Sequence, residues 1–246
     1  METAYGGLAA HYALLFPLNE RQREFFACLL EAEPVASVLD VGCGTGEHLA
    51  WFSERGVRGW GLEPDGAMVR ELRRRAWRGT VPTLVQAGAE ALPDAIGEPV
   101  DLVLCLGNTL PHLRGGEAIR EALRRMAGAL APGGRLVVQT VNFDKVLAAG
   151  ASSFPVIERA LPDGGRVSLH RRYDLGGLPE RVLFETRLVT PAGEHEAAWP
   201  LVPLRREELV GFAGEAGLGR IELFGDYTRV PFGADSPALI LVGRRA

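Results

Sequence analysis

Lysine is almost missing from this 246-residue chain: Lys145 stands alone, and every other basic side chain is arginine. That bias fits coding composition or heat tolerance and carries no functional reading. Positive charge is not in excess either. The 27 basic and 31 acidic side chains leave a formal charge of −4, which gives phosphate backbones and anionic lipid no general attraction, so neither nucleic acid nor membrane is expected as a partner. Cysteine is scarce. Cys28, Cys43 and Cys105 lie far apart in mostly apolar surroundings, without metal-ligand spacing or the even count of a disulfide framework. Three buried thiols in a reducing compartment are expected, and no metal. No apolar run has the length to cross a bilayer, and METAYGGLAAHYALLF lacks the basic start of a leader, which implies a cytoplasmic protein. Internal repeats and low-complexity linkers are absent. One catalytic domain with an insertion is the expectation at this length.

What is present is alternation of strand and helix. Residues 18–33 put Phe25, Phe26, Leu29 and Leu30 on one helical face before Pro34 stops the helix. A strand at 35–41, a helix at 46–55 and a strand at 57–62 then form one βαβ unit. Helix 65–76, strands 81–86 and 100–106, helix 116–130 and strand 134–141 continue the pattern. VDLVLCL and RLVVQTV are near-continuous apolar runs, as required where helices cover both faces of a sheet. Beyond residue 150 the texture changes to strands at 166–174, 181–190 and 194–202 separated by DGG, GGLP and PAG turns, an antiparallel meander. Helix 205–216 and strands near 219–225 and 237–243 return the chain to the main sheet. The expected fold is α/β: a doubly wound, mostly parallel seven-stranded sheet with an antiparallel β insertion in the C-terminal third. Residues 35–149 and 204–246 would form its core, 150–203 the insertion, and 1–34 a helical segment covering a ligand site.

VLDVGCGTG places Gly42, Gly44 and Gly46 where a strand meets a helix, so the backbone can turn tightly and approach a ligand. A dinucleotide fingerprint would need glycine at position 47, where Glu47 stands, and a carboxylate on the first helical turn suits a pyrophosphate poorly. No Gly-Lys-Ser/Thr follows, which excludes a P-loop. Glu63 closes the second strand, where its carboxylate can accept bonds from both hydroxyls of a ribose. Asp40, ending the first strand, reads either as a cap or local backbone acceptor or as a ligand group.

VLDVGCGTGEHL, GLEPDGAMV, QAGAEALP, DLVLCLGN and LAPGGRLVV, across residues 35–141, resemble in order and spacing the motifs of class I S-adenosylmethionine-dependent methyltransferases. The resemblance implies a Rossmann-like methyltransferase fold, S-adenosylmethionine as cofactor and S-adenosylhomocysteine as product. By the same resemblance Gly42 and Gly44 face the methionine part, Glu63 holds the ribose, and the loop at Gly88, Ala89 and Glu90 flanks the adenine. Many relatives have an aspartate where this chain has Gly88, which leaves backbone N–H groups at Ala89 and Glu90 to read the base. Pro64 and Leu106, within the matching motifs, join the implied cofactor set. Glu63→Ala is expected to weaken cofactor affinity severely without unfolding the chain.

The acceptor side is similar to glycine and sarcosine N-methyltransferases in CLGNTLPHL, VNFDKVLAAG and FGDYTRVPF. Arg21 stands where those enzymes place an arginine on the cofactor's carboxylate, and Tyr5 matches a cofactor-contacting tyrosine; Arg21 reads equally as a solvated helix residue. Asn108 could orient an acceptor or simply form the turn after the strand. His112 could accept a proton from the acceptor, with His170 second, or be a structural histidine. One position breaks the resemblance. The arginine that holds the amino-acid carboxylate in the glycine enzymes is replaced by Val141, which demotes glycine as the acceptor unless Arg171 or Arg172 supplies the charge. The expected partner is a small molecule methylated on nitrogen or oxygen, and the glycine enzymes' tetramers make a homo-oligomer compatible with the resemblance. A non-catalytic cofactor-binding module and a nicotinamide oxidoreductase are the competing readings.

Overall fold

The computed structural model describes residues 5–150 and 153–246; residues 1–4 of the expected N-terminal segment and 151–152 of the expected insertion lie outside the described residues. In chain order the strands are β1 (Ser37–Val41), β2 (Arg58–Leu62), β3 (Thr83–Val85), β4 (Val100–Cys105), β5 (Leu130–Val141), β6 (Ile157–Ala160), β7 (Arg166–Asp174), β8 (Val182–Thr190), β9 (Gly193–Leu201), β10 (Leu218–Phe224) and β11 (Ala238–Arg245). The helices are α1 (Gly6–Leu15), α2 (Glu20–Ala32), α3 (Glu47–Ser53), α4 (Gly66–Arg74), α5 (Gly116–Ala129), α6 (Phe143–Ala149) and α7 (Arg206–Glu215).

Seven strands form one sheet in the order β3-β2-β1-β4-β5-β11-β10, and β6 to β9 form an antiparallel four-stranded sheet. Pairing is parallel from β3 through β5, whereas β11 runs antiparallel to both β5 and β10. The strand order therefore reverses between β1 and β4. Their carboxyl ends diverge there and open a crevice, the usual ligand position in such sheets. The expected fold class is the observed one. No helix among the described residues is long and apolar enough to cross a membrane.

Burial explains why the central strands were readable. All five β1 residues are buried, as are all of β4 except Asp101, because helices cover both faces. Helix α2 buries Phe25, Phe26 and Leu29. The almost fully buried Arg135 anchors its end by donating to the Leu29 and Glu33 carbonyls at 2.8 and 3.2 Å, two acceptors with no partner inside the helix. Cys43 and Cys105 are buried as expected, but Cys28, on the flank of α2, is only partly so.

Three elements were not expected. Helix α1 has no single apolar stripe because it is covered from two sides: Ala9 meets Ala67 and Met68 of α4, while Leu8 and Leu15 pack on Val167, Leu169 and Leu188 of the small sheet. Helix α6 is one short stretch capped by Asn142, whose side chain accepts from Lys145 N–H, and ended by Gly150 in the left-handed region. Strand β6 is a mostly exposed edge with weak alternation.

Candidate functional site

The glycine loop between β1 and α3 is held by its own backbone and by one carboxylate. Gly42 and Cys43 N–H both donate to the Leu62 carbonyl, and Gly42, Gly44 and Gly46 all have positive φ. Glu63 Oε2 accepts from Gly44 N–H at 2.9 Å, and its Oε1 accepts from Asp65 N–H at 2.8 Å. The carboxylate thus joins the loop after β1 to the start of α4. A carboxylate accepts about four bonds, so roughly two lone-pair sites remain for a ligand. Burial raises the Glu63 pKa, and the two backbone bonds oppose that shift. Asp65 Oδ1 caps α4 through Ala67 and Met68 N–H.

Two acidic residues are placed differently from the simplest readings. Asp40 caps no helix: its Oδ2 lies 3.5 Å from His48 Nδ1, is otherwise without a hydrogen-bond partner among the described residues, and is buried. Glu47 is paired with Arg75 and accepts from Thr45 Oγ1 at 2.8 Å. That pairing offsets its charge, so its repulsion of a pyrophosphate is weaker than the sequence suggests.

Beyond the loop a cavity of about 480 Å³ opens under the small sheet. Gly42, Gly44 and Leu106 border one end, and Asn108, His112 and Tyr5 border the next part. A Cβ added at Gly44 would come 3.4 Å from the Tyr12 ring, so Tyr12 lies across the loop. The start of helix α2 contributes Gln22 and its N-cap Asn19, which are locked in a reciprocal capping box. Arg21 is exposed and does not border the cavity, because adjacent helical residues point about 100° apart.

The segment after β4 aims two polar groups inward. Asn108, at φ 68°, accepts from Val141 N–H through Oδ1 at 3.1 Å, and its side chain also hydrogen-bonds the Tyr173 phenol. The short 3₁₀ turn Leu110–His112 then brings the imidazole to Tyr5, with 3.3 Å between Nε2 and the phenol oxygen. Burial pushes the His112 pKa down to about 4, so the ring is neutral at physiological pH. Burial likewise raises the phenol of Tyr5. His170 lies on the other side of the small sheet's pleat and does not border this cavity.

Several residues around the cavity were missed. Trp199 stacks on Tyr5 at 5.0 Å, and Phe184, Tyr173 and Phe154 continue the aromatic wall at ring separations of 5.9, 5.4 and 5.1 Å. Their signal was the period-2 alternation of Leu169, Arg171 and Tyr173, which names a face without saying what the face meets. Glu63, Pro64, Ala89 and Glu90 do not border the cavity. They cluster at the neighbouring ends of β2 and β3, with Pro64 and Glu90 exposed and Ala89 buried. Glu90 Oε1 accepts from Gly88 N–H at 2.8 Å, so its side chain folds back on its own loop.

The donor set fits an adenosyl amino acid. A loop with room for close approach follows β1, a buried Asp40 oxygen without a hydrogen-bond partner among the described residues lies near the end of the same strand, and a carboxylate with spare acceptor capacity stands directly after the neighbouring β2.

Comparison with known proteins agrees with that fit. A family profile described as a methyltransferase domain matches residues 38–134. The dTDP-4-amino-2,3,4,6-tetradeoxy-D-glucose N,N-dimethyltransferase of Saccharopolyspora spinosa is 31% identical over 195 residues, covering 74% of this chain and 76% of that protein. The glycine/sarcosine/dimethylglycine N-methyltransferase of Actinopolyspora halophila is 25% identical over 223 residues; the match covers 89% of this chain but only 37% of that longer protein. Among solved structures, an S-adenosylmethionine-dependent methyltransferase from Clostridium acetobutylicum shares the fold with a TM-score of 0.81 at 13% identity, covering 98% of this chain and 99% of that one.

Proposed function

Because the chain belongs to the class I S-adenosylmethionine-dependent methyltransferases, we propose that it methylates an amine nitrogen of a small-molecule acceptor held between the glycine loop and the small sheet. Gly42 and Gly44 would face the methionine part of the cofactor and Glu63 the ribose, with Ala89 and Glu90 flanking the adenine. S-adenosylmethionine supplies a methyl group on a sulfonium, a good leaving group. The protein's own work is then to align the acceptor's lone pair and exclude water. The aromatic wall of Tyr5, Trp199, Phe184 and Tyr173 does the second. In this reading residues 35–149 and 204–246 are the methyl-transferring core, 1–34 cover the cofactor, and 150–203 wall the acceptor. The free cysteines suit a cytoplasmic setting.

The observation that carries nitrogen over oxygen is the state of His112. A base with a pKa near 4 takes a proton from a hydroxyl poorly, since general bases work best when their pKa is close to the working pH. A neutral amine needs no strong base and only a hydrogen-bond acceptor to orient it. Both curated relatives described above are named for N-methylation, which supports the same choice. Initial rates of S-adenosylhomocysteine release over a panel of small amines and alcohols test it. An N-methyl product is expected, with His112→Gln lowering turnover by no more than about tenfold. No His112 ionisation is expected in the rate profile between pH 6 and 8, because the ring is already neutral above about pH 4. An O-methyl product, or a loss of about 10²- to 10⁴-fold typical of a general base, would overturn the assignment.

A further inference from the structure

Charge is unevenly distributed along the cavity. At the glycine-loop end Glu47 is offset by Arg75. At the other end the small sheet contributes Arg159 and Arg171, and none of its carboxylates borders the cavity.

Arg171 and Arg172 are adjacent on β7 and therefore point to opposite faces. Arg172 is exposed and paired with Glu185. Arg171 turns inward and is in no ion pair among the described residues. One Nη donates to the Pro155 carbonyl at 3.2 Å, and the guanidinium lies 5.1 Å from the Phe154 ring and 5.8 Å from that of Phe16. Its Nε is buried and has no hydrogen-bond partner among the described residues. Desolvation lowers its pKa, yet a guanidinium stays charged under any physiological condition. A buried charged donor left unpaired is unfavourable, and an anionic ligand could supply the missing partner. The planar fork suits a carboxylate or a phosphate. Across the same cavity Val141 offers no charge.

We propose that Arg171 binds an anionic group, carboxylate or phosphate, carried by the methyl acceptor, and thereby selects which amines are methylated. This rests on the methyltransferase reading above.

Calorimetric titration separates this inference from the reading beneath it. Protein saturated with S-adenosylhomocysteine is titrated with benzoate, inorganic phosphate and pyrophosphate, for the wild type, Arg171→Met and Arg171→Lys. Thermal denaturation confirms folding, which Met at a buried cation should preserve. The wild type is expected to bind at least one anion. Arg171→Met should weaken that binding at least tenfold, Arg171→Lys should weaken it less, and affinity for S-adenosylhomocysteine should be unchanged. Preference for benzoate assigns a carboxylate, and preference for the phosphates assigns a phosphate. No anion binding by the wild type, equal binding by Arg171→Met, or a parallel loss of S-adenosylhomocysteine affinity would overturn the proposal. Failure of the wild type to bind S-adenosylhomocysteine would instead overturn the underlying function.

Discussion

Replacing Glu63 with Gln should weaken S-adenosylmethionine binding about 10- to 100-fold, the loss expected when charge-assisted bonds to two hydroxyls are replaced by one neutral acceptor. Glu63→Ala should weaken it further and, while leaving the chain folded, should also lower the stability of the fold. The reason is the carboxylate's double duty. It accepts from Gly44 and Asp65 N–H, so truncation leaves two donors without partners at the junction of β1, β2 and α4. Each unpaired donor costs about 1–3 kcal/mol, less where water enters. A chain of this length loses roughly 2–4 °C of Tm for each kcal/mol, so a drop of several degrees should accompany Glu63→Ala, with a smaller one for Gln. Calorimetry and thermal denaturation of the two variants separate the ligand role from the structural one. Unchanged affinity in both would remove Glu63 from the cofactor site.

Gly42→Ala should be the more damaging change to the fold. A Cβ there would lie 2.5 Å from Thr109 Cγ2 and 2.6 Å from its Oγ1, on a backbone with φ +75°. The left-handed backbone costs a non-glycine residue about 1–2 kcal/mol, and overpacking adds about 1–3 kcal/mol. The steric part has a specific partner. Thr109→Ala alone loses the 2.7 Å bond that Oγ1 donates to the Leu106 carbonyl, yet in the Gly42→Ala background it should restore part of the stability. Denaturation of the two single variants and the double variant gives the coupling directly. Strict additivity would mean that the loop relaxes away from Thr109. Gly44→Ala carries the same kind of backbone cost at φ +56°, but its Cβ would only touch Tyr12 at 3.4 Å on the cavity side, so stability should fall less than for Gly42→Ala while cofactor affinity suffers.

The parts of this molecule that could be read in advance are those where local chemistry and global position coincide. The β1–α3–β2 unit was legible because strands buried on both faces must be continuously apolar and a loop that approaches a ligand needs glycine. Helix α1 was not, because packing against α4 on one side and the small sheet on the other removes the polar stripe that marks a helix. Arg171 and Arg172 illustrate a sharper limit. Alternation guarantees that they face opposite ways, but only the pairing of β7 with β8 and the docking of α1 decide which one faces in. Glu63 was identified for its lone pairs, while its bonds to Gly44 and Asp65 depend on how two loops meet in space. The aromatic wall lay hidden for the same reason: Tyr5 and Trp199 stack across almost the whole chain.

The most direct test of the account is a crystal structure with S-adenosylmethionine bound. The ribose hydroxyls should lie within hydrogen-bond distance of Glu63, the adenine against Ala89 and Glu90, and the methyl carbon should face the space bounded by Asn108, His112 and Tyr173. A ribose held elsewhere, or a methyl group turned away from that space, would contradict it.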